Sequence, residues 1–134
     1  MTRFVVDAPT LLHLVDEGLT VDPAHQLVAP GSIRSEALQL LLGQVVRGER
    51  DESSVRSTHE RMTEVRIRLL GDRVSRMTSW TIAREHGWET LRDAEYLAVA
   101  RLQADALVSI DPELVSKADS VVAVAPLSAL LGPG

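Results

Sequence analysis

Four acidic residues from separate stretches of the sequence are candidates for one shared chemical site. They are Asp7, Glu36, Asp93 and Asp111. Carboxylates that converge on one pocket raise each other's pKa unless a cation compensates their charge. Ligation by oxygen alone suits hard ions, which favours Mg²⁺ or Mn²⁺ over Zn²⁺. Because such an ion holds phosphate oxygens and lowers the pKa of a bound water, the expected chemistry is phosphodiester cleavage by metal-activated water.

Two of these acids follow predicted strands. Asp7 comes directly after the apolar residues 4–6, and Asp111 after the run 106–110. Ligands of open parallel sheets bind at the carboxyl ends of the strands, where both aspartates would lie. Each aspartate taken alone is also explained as an ordinary strand-ending or helix-capping residue. Their equivalent placement on two strands favours the shared site.

The other two acids lie on predicted helices. Glu36 has Ile33 three residues before it and Leu40 four residues after it, so it lies beside an apolar stripe. A carboxylate there either binds a partner or borders the core and reaches water. The residues from Thr90 to Asp93 fit a capping box, in which the fourth residue bonds back to the cap. Asp93 is therefore a metal ligand, a helix cap or both.

Apolar strands and helices alternate along the chain. Strands are predicted at residues 3–6, 27–29, 106–110 and 121–124, with a very short one at 73–75. Helices are predicted from Pro9 to before Gly18, from a Ser32 cap through Val45, near 53–70, at 77–86, and after a Thr90 cap. This alternation implies the α/β class, with a parallel sheet between two helical layers in an α/β/α arrangement. The last five residues, 130–134, are expected to form a loose tail.

Length and composition predict a single domain spanning residues 1–134. A chain that is 45% hydrophobic and 25% charged can bury one core. The absence of cysteine excludes disulfides and zinc thiolates, and a reducing cytoplasm is the expected setting. No secretory signal is recognisable, and no apolar run reaches the roughly 18 to 20 residues of a membrane span. The net charge of -5 argues against a broad basic face for nucleic acid, although bound cations reverse the local sign of an acidic site.

Four short segments, spread over nearly the whole chain, carry a family resemblance. They are FVVDA at 4–8, AP at 29–30 leading to SEA at 35–37, LRDAEYLAVA at 91–100, and LVSIDPEL at 107–114. In this order and spacing they resemble the PIN-domain ribonuclease family, and within it the VapC-type toxins of bacterial VapBC toxin-antitoxin pairs. No single segment is specific, but their combination is.

The resemblance implies a parallel sheet in the order 3-2-1-4-5 and assigns roles to individual residues. The family's four metal-binding acids correspond to Asp7, Glu36, Asp93 and Asp111. Ser109 takes the place of the hydroxyl just before the last aspartate. Pro9 departs from the small residue often found at its position, and Thr10 is the alternative hydroxyl there. Glu113 is a candidate acid outside the ligand set.

The resemblance also implies a Mg²⁺- or Mn²⁺-dependent endoribonuclease that acts as the toxin of a toxin-antitoxin pair. Its expected partners are an RNA substrate, a VapB-type antitoxin whose carboxyl-terminal segment lies across the groove, and a second copy in a homodimer. The helix near 53–70 could form either protein interface or simply cover the sheet. Two alternatives stay open: a catalytically silent interaction module, and a nuclease of this fold that acts on DNA or another nucleic acid.

Overall fold

The computed structural model describes residues 1–132. They contain four strands, six α-helices and one 3-10 turn. The strands are β1 Thr2–Val6, β2 His25–Pro30, β3 Ile67–Leu70 and β4 Ala106–Val108. The helices are α1 Ala8–Asp16, α2 Ile33–Val46, α3 Glu52–Glu64, α4 Arg73–His86, α5 Arg92–Gln103 and α6 Pro112–Ala118. The 3-10 turn is Leu127–Leu130.

The four strands form one parallel sheet in the order β3-β2-β1-β4. Within it β1 is central, because Phe4 pairs with Leu27 of β2 on one side and with Ala106 of β4 on the other. Val5 and Val6 are completely buried, as expected for a parallel strand covered on both faces. The predicted α/β class, a parallel sheet with helices on both sides, is confirmed.

The predicted fifth strand is wrong, and with it the five-stranded order 3-2-1-4-5. Of residues 121–124 only Val124 forms a parallel bridge, to Leu107. The first two N–H groups of this run donate instead to the carbonyl of Ala118, at 2.9 and 3.1 Å. Since this turn takes up the start of the apolar run, only its end reaches the edge of the sheet.

The third strand lies earlier in the chain than predicted. The expected helix near 53–70 ends at Glu64, and the last residues of that span form β3. The predicted strand at 73–75 is the first turn of α4, which begins where the Asp72 carboxylate accepts a hydrogen bond from the Ser75 N–H at 2.8 Å. The apolar residues of β3 continue the helical spacing of the preceding stripe, which explains the prediction of one long helix.

Neither predicted hydroxyl cap forms. Ser32 occupies the N-cap position of α2, but neither α2 nor α5 has a side-chain cap hydrogen bond. The helix α5 begins at Arg92, with Leu91 rather than Thr90 at its N-cap position. The capping-box interpretation of Asp93 is therefore wrong.

The last apolar residues pack against the domain rather than forming a loose tail. Leu130 is buried, and Leu131 pairs with Val21 in an antiparallel bridge. This part of the tail prediction is wrong, whereas residues 133–134 lie outside the described part of the chain.

The buried apolar side chains form a cluster around the sheet. The helix α3 contributes Met62, which is fully buried, and Val55 packs partly buried against the same cluster. This helix therefore covers the core, the simpler of its two predicted roles. Within residues 1–132, no helix is long and apolar enough to span a membrane.

Candidate active site

A cleft of about 220 Å³ opens where β1 and β4 end. All four predicted acids line it, namely Asp7, Glu36, Asp93 and Asp111. The strand β1 leads directly to Asp7, and Asp111 follows the end of β4. Glu36 and Asp93 come from the first turns of α2 and α5. The parallel sheet thus brings four distant stretches of the chain to one place.

Asp7 is the most deeply buried of the four acids, with 3% of its surface exposed. It occupies the N-cap position of α1, where Oδ1 accepts hydrogen bonds from the Thr10 N–H at 3.3 Å and from the Thr10 hydroxyl. Its other oxygen, Oδ2, accepts a hydrogen bond from Ser109 Oγ at 2.8 Å. Burial raises the pKa of Asp7 above its ordinary value, and these hydrogen bonds oppose the rise.

The two hydroxyls that hold Asp7 also hold the loop after β4. Thr10 Oγ1 accepts a hydrogen bond from the Ile110 N–H, and Ser109 Oγ accepts one from the Asp111 N–H, each at 3.0 Å. Each hydroxyl therefore donates to Asp7 and accepts from the backbone of the loop. Thr10 and Ser109, whose contribution the sequence left open, fix the position of Asp7 relative to Asp111.

Glu36 accepts a hydrogen bond from the Tyr96 hydroxyl of α5. Burial raises the pKa of Glu36 above its ordinary value, while the Tyr96 hydroxyl and the charge of Arg92 oppose the rise. Burial, together with the bond to Glu36, also raises the pKa of Tyr96, so its hydroxyl stays protonated at neutral pH. Glu36 is thus a half-buried acid with a fixed partner, rather than a border residue that only reaches water.

Asp93 forms an ion pair with Lys117 of α6, whose Nζ lies 2.8 Å from Oδ2. The same Nζ lies 3.4 Å from Glu113 and 5.2 Å from the centroid of the Trp88 ring. The hydrogen bond to Asp93 raises the pKa of Lys117 above its ordinary value. Sequence reasoning missed Lys117, although its four-residue spacing from Glu113 is a helical ion-pair signal.

Asp111 is the N-cap residue of α6, and its Oδ1 accepts a hydrogen bond from the Glu113 N–H at 3.0 Å. Both of its predicted roles are thereby compatible, because one carboxylate oxygen caps the helix while the residue lines the cleft. Glu113 does not belong to the cleft lining, and its side chain is 76% exposed. Its carboxylate approaches the site through Lys117, whose Nζ lies 3.4 Å away.

The chemistry of the donors fits a hard divalent cation, because every candidate ligand is a carboxylate oxygen. Asp7 and Glu36 form no ion pair within the described residues. The hydroxyls of Thr10 and Ser109 compensate the buried charge of Asp7. The Tyr96 hydroxyl and the nearby charge of Arg92 compensate that of Glu36. In residues 1–132, no three histidine or acidic side chains are already close enough to hold one ion together. The acids share a cleft, and ligation would require some of them to reorient.

Comparison with known proteins bears on the fold. The chain is similar to the crystal structure of PAE2754 from Pyrobaculum aerophilum, with a TM-score of 0.72 and 23% sequence identity over 96% of this chain and 92% of that chain. At this identity the likeness concerns the fold alone. The sequence matches no known family model and no curated protein.

Proposed function

We propose that this protein is a Mg²⁺- or Mn²⁺-dependent endoribonuclease of the PIN-domain type. The observation that carries the proposal is the meeting of four acids, from four separate elements, in one cleft at the carboxyl ends of parallel strands. Buried carboxylates are costly without a compensating cation, and two of the four are buried or half-buried without an ion pair in the described chain. A divalent cation would supply that compensation.

The chain's own residues have distinct tasks in the proposed reaction. The metal would be held by Asp7, Glu36, Asp93 and Asp111. Once bound, it supplies a water of lowered pKa and stabilises charge on the leaving oxygen. Thr10 and Ser109 orient Asp7, and the Tyr96 hydroxyl favours the ionised form of Glu36. Arg92 lines the same cleft, and its guanidinium would bind a phosphate of the RNA backbone.

The proposed biological role rests on the sequence resemblance. It is that of a cytoplasmic VapC-type toxin, forming a homodimer and inhibited by a VapB-type antitoxin. The helix that carries Glu36 leaves Leu38 and Leu42 exposed, and both line a hollow of about 380 Å³ between α2 and α3. An antitoxin segment with apolar side chains would bury this surface next to the cleft. Leu42→Glu should then weaken antitoxin binding and leave RNA cleavage by the free protein unchanged.

The test of the activity is cleavage of RNA by purified protein in Mn²⁺, repeated with excess chelator. We expect Asp7→Asn and Asp93→Asn to abolish cleavage while the far-ultraviolet circular dichroism spectrum stays unchanged. The matched control is Asp51→Asn, which makes the same chemical change at an exposed residue outside the cleft lining. Cleavage at the normal rate by either cleft variant contradicts the proposed site.

A catalytically silent interaction module is the second candidate. Two observations favour it: Lys117 already neutralises Asp93, and no three acids in the described chain are arranged around one ion position. Calorimetry separates the candidates, because a silent module binds no Mn²⁺ and any RNA cleavage in its preparations is insensitive to chelator. Replacing RNA by single-stranded DNA in the cleavage assay tests the third alternative, a nuclease of this fold that acts on DNA. The net charge of -5 argues against a large nucleic-acid footprint for any such substrate.

A further inference from the structure

Lys117 has three partners around its ammonium group. Its Nζ lies 2.8 Å from Asp93, 3.4 Å from Glu113 and 5.2 Å from the centroid of the Trp88 ring. The Trp88 ring in turn stacks on His86, with 4.9 Å between ring centroids. The ammonium of Lys117 therefore lies over the Trp88 ring, which itself stacks on His86. Lys117 is also the only lysine in the sequence.

Among these partners of Lys117, only Asp93 lines the cleft. An ammonium at hydrogen-bond distance from Oδ2 compensates the charge that Asp93 would otherwise offer to a cation in the cleft. A cation that binds in the cleft must therefore share this carboxylate with Lys117 or displace the ammonium from it. A displaced ammonium still has Glu113 and Trp88 as neighbours, so its release does not leave it without a partner.

We propose that Lys117 is an exchangeable counter-ion of Asp93, which competes with a divalent cation for this carboxylate and so sets the metal affinity of the cleft. This inference rests on the proposed metal-dependent function. A lysine that merely oriented Asp93 as a ligand would have the opposite effect, because its removal would weaken metal binding. The sign of the change in affinity therefore distinguishes competition from orientation.

Calorimetric titration with Mg²⁺ measures that sign. We expect Lys117→Gln to bind Mg²⁺ about fivefold more tightly than the wild type, the size expected for loss of a partly exposed ion pair. Lys117→Arg keeps the cation and should stay within about twofold of the wild type. The control for loss of one positive charge is Arg101→Gln, at an exposed residue outside the cleft lining, which should not change the affinity.

Nuclear magnetic resonance gives a readout that does not depend on activity. Because the chain has a single lysine, protein labelled with ¹³Cε-lysine gives one side-chain signal, and that signal reports on Lys117 alone. If Lys117 exchanges with the cation, this signal should move as Mg²⁺ is added. The dependence of the movement on Mg²⁺ concentration should give the same affinity as calorimetry. A signal that stays in place while calorimetry records binding in the wild type overturns the proposal.

The outcomes separate failure of this inference from failure of the proposed function. Equal or weaker Mg²⁺ binding by Lys117→Gln, with binding intact in the wild type, overturns the competition and leaves the metal-dependent function standing. Absence of Mg²⁺ binding in both proteins contradicts the function and the exchange together. Binding by Lys117→Gln alone supports the competition and contradicts a Mg²⁺-dependent function of the wild type.

Discussion

Ser109 holds Asp7 across 102 positions of sequence, with its Oγ donating a hydrogen bond to Asp7 Oδ2 at 2.8 Å. The same Oγ accepts a hydrogen bond from the N–H of Asp111 at 3.0 Å. One hydroxyl therefore fixes the end of β1 against the loop that leads into α6. Together with Thr10, which links Asp7 to the N–H of Ile110, this contact positions two of the four candidate acids relative to each other.

Ser109→Ala is expected to loosen that arrangement. Removing the hydroxyl takes a hydrogen-bond donor from a buried carboxylate, which should lower the free energy of unfolding by about 1 to 3 kcal/mol. If Asp7 binds a metal, the loss of its supporting partner should also reduce Mn²⁺ affinity by about 10- to 100-fold. Denaturant unfolding measures the first effect, and calorimetry measures the second.

The matched control for this change is Ser116→Ala, at an exposed position of α6 outside the cleft lining. It should change neither quantity. Wild-type metal affinity in Ser109→Ala would show that the hydroxyl serves the fold and not the proposed site.

Tyr96→Phe should shift the pH dependence of metal binding. The Tyr96 hydroxyl lowers the pKa of Glu36, which burial has raised, so its removal should raise that pKa further. The metal requires the ionised carboxylate. As the pH is lowered, the variant should therefore lose metal binding at a higher pH than the wild type does. Calorimetric titrations between pH 4.5 and pH 7.5 measure the shift, and an unchanged acidic limit would remove Glu36 from the ligand set.

The alternation of apolar strands with helices is the sequence feature that predicts most of the fold. It predicted β1, β2 and β4 because a strand covered on both faces is continuously apolar, as residues 4–6 are. It failed at β3, where the apolar spacing fits a helix as well as a strand. It also failed at residues 121–124, because an apolar run does not reveal that its first N–H groups are used in a turn.

Of the candidate site, the sequence predicts the acids but not the cleft that brings them together. Asp7 and Asp111 followed from their place after strands, and Glu36 followed from its position beside an apolar stripe. Their shared cleft depends on the three-dimensional packing of α2 and α5 against the sheet, which local patterns do not specify. The pairing of Asp93 with Lys117 joins two helices, so no spacing within one helix encodes it.

Gly87→Ala should destabilise the fold, because Gly87 ends α4 with a φ of 69°. A residue with a Cβ atom is strained in this left-handed conformation, and we expect a loss of about 1 kcal/mol in the free energy of unfolding. The control is Gly31→Ala, where φ is ordinary and an added Cβ meets no atom within 4 Å. Denaturant unfolding of both variants checks the prediction, and equal effects at the two positions would contradict it.

Asp7→Asn should make the fold more stable at neutral pH and remove part of its dependence on pH. Because burial raises the folded-state pKa of Asp7 above the ordinary 3.8, the folded chain keeps a proton that the unfolded chain has already lost. The contribution of Asp7 to the free energy of unfolding therefore falls as the pH rises from 3.8 through the folded-state pKa, and stays low above it. Asparagine carries no charge and escapes this penalty.

Denaturant unfolding in the presence of chelator, at several pH values between 4 and 7, tests this prediction for Asp7. The stabilisation by Asp7→Asn should be largest at pH 7 and shrink as the pH falls, whereas Asp51→Asn at an exposed residue should show no such trend. A variant less stable than the wild type at every pH would mean that Thr10 and Ser109 fully compensate the buried charge. The cleft would then have no uncompensated carboxylate at Asp7 to favour a metal.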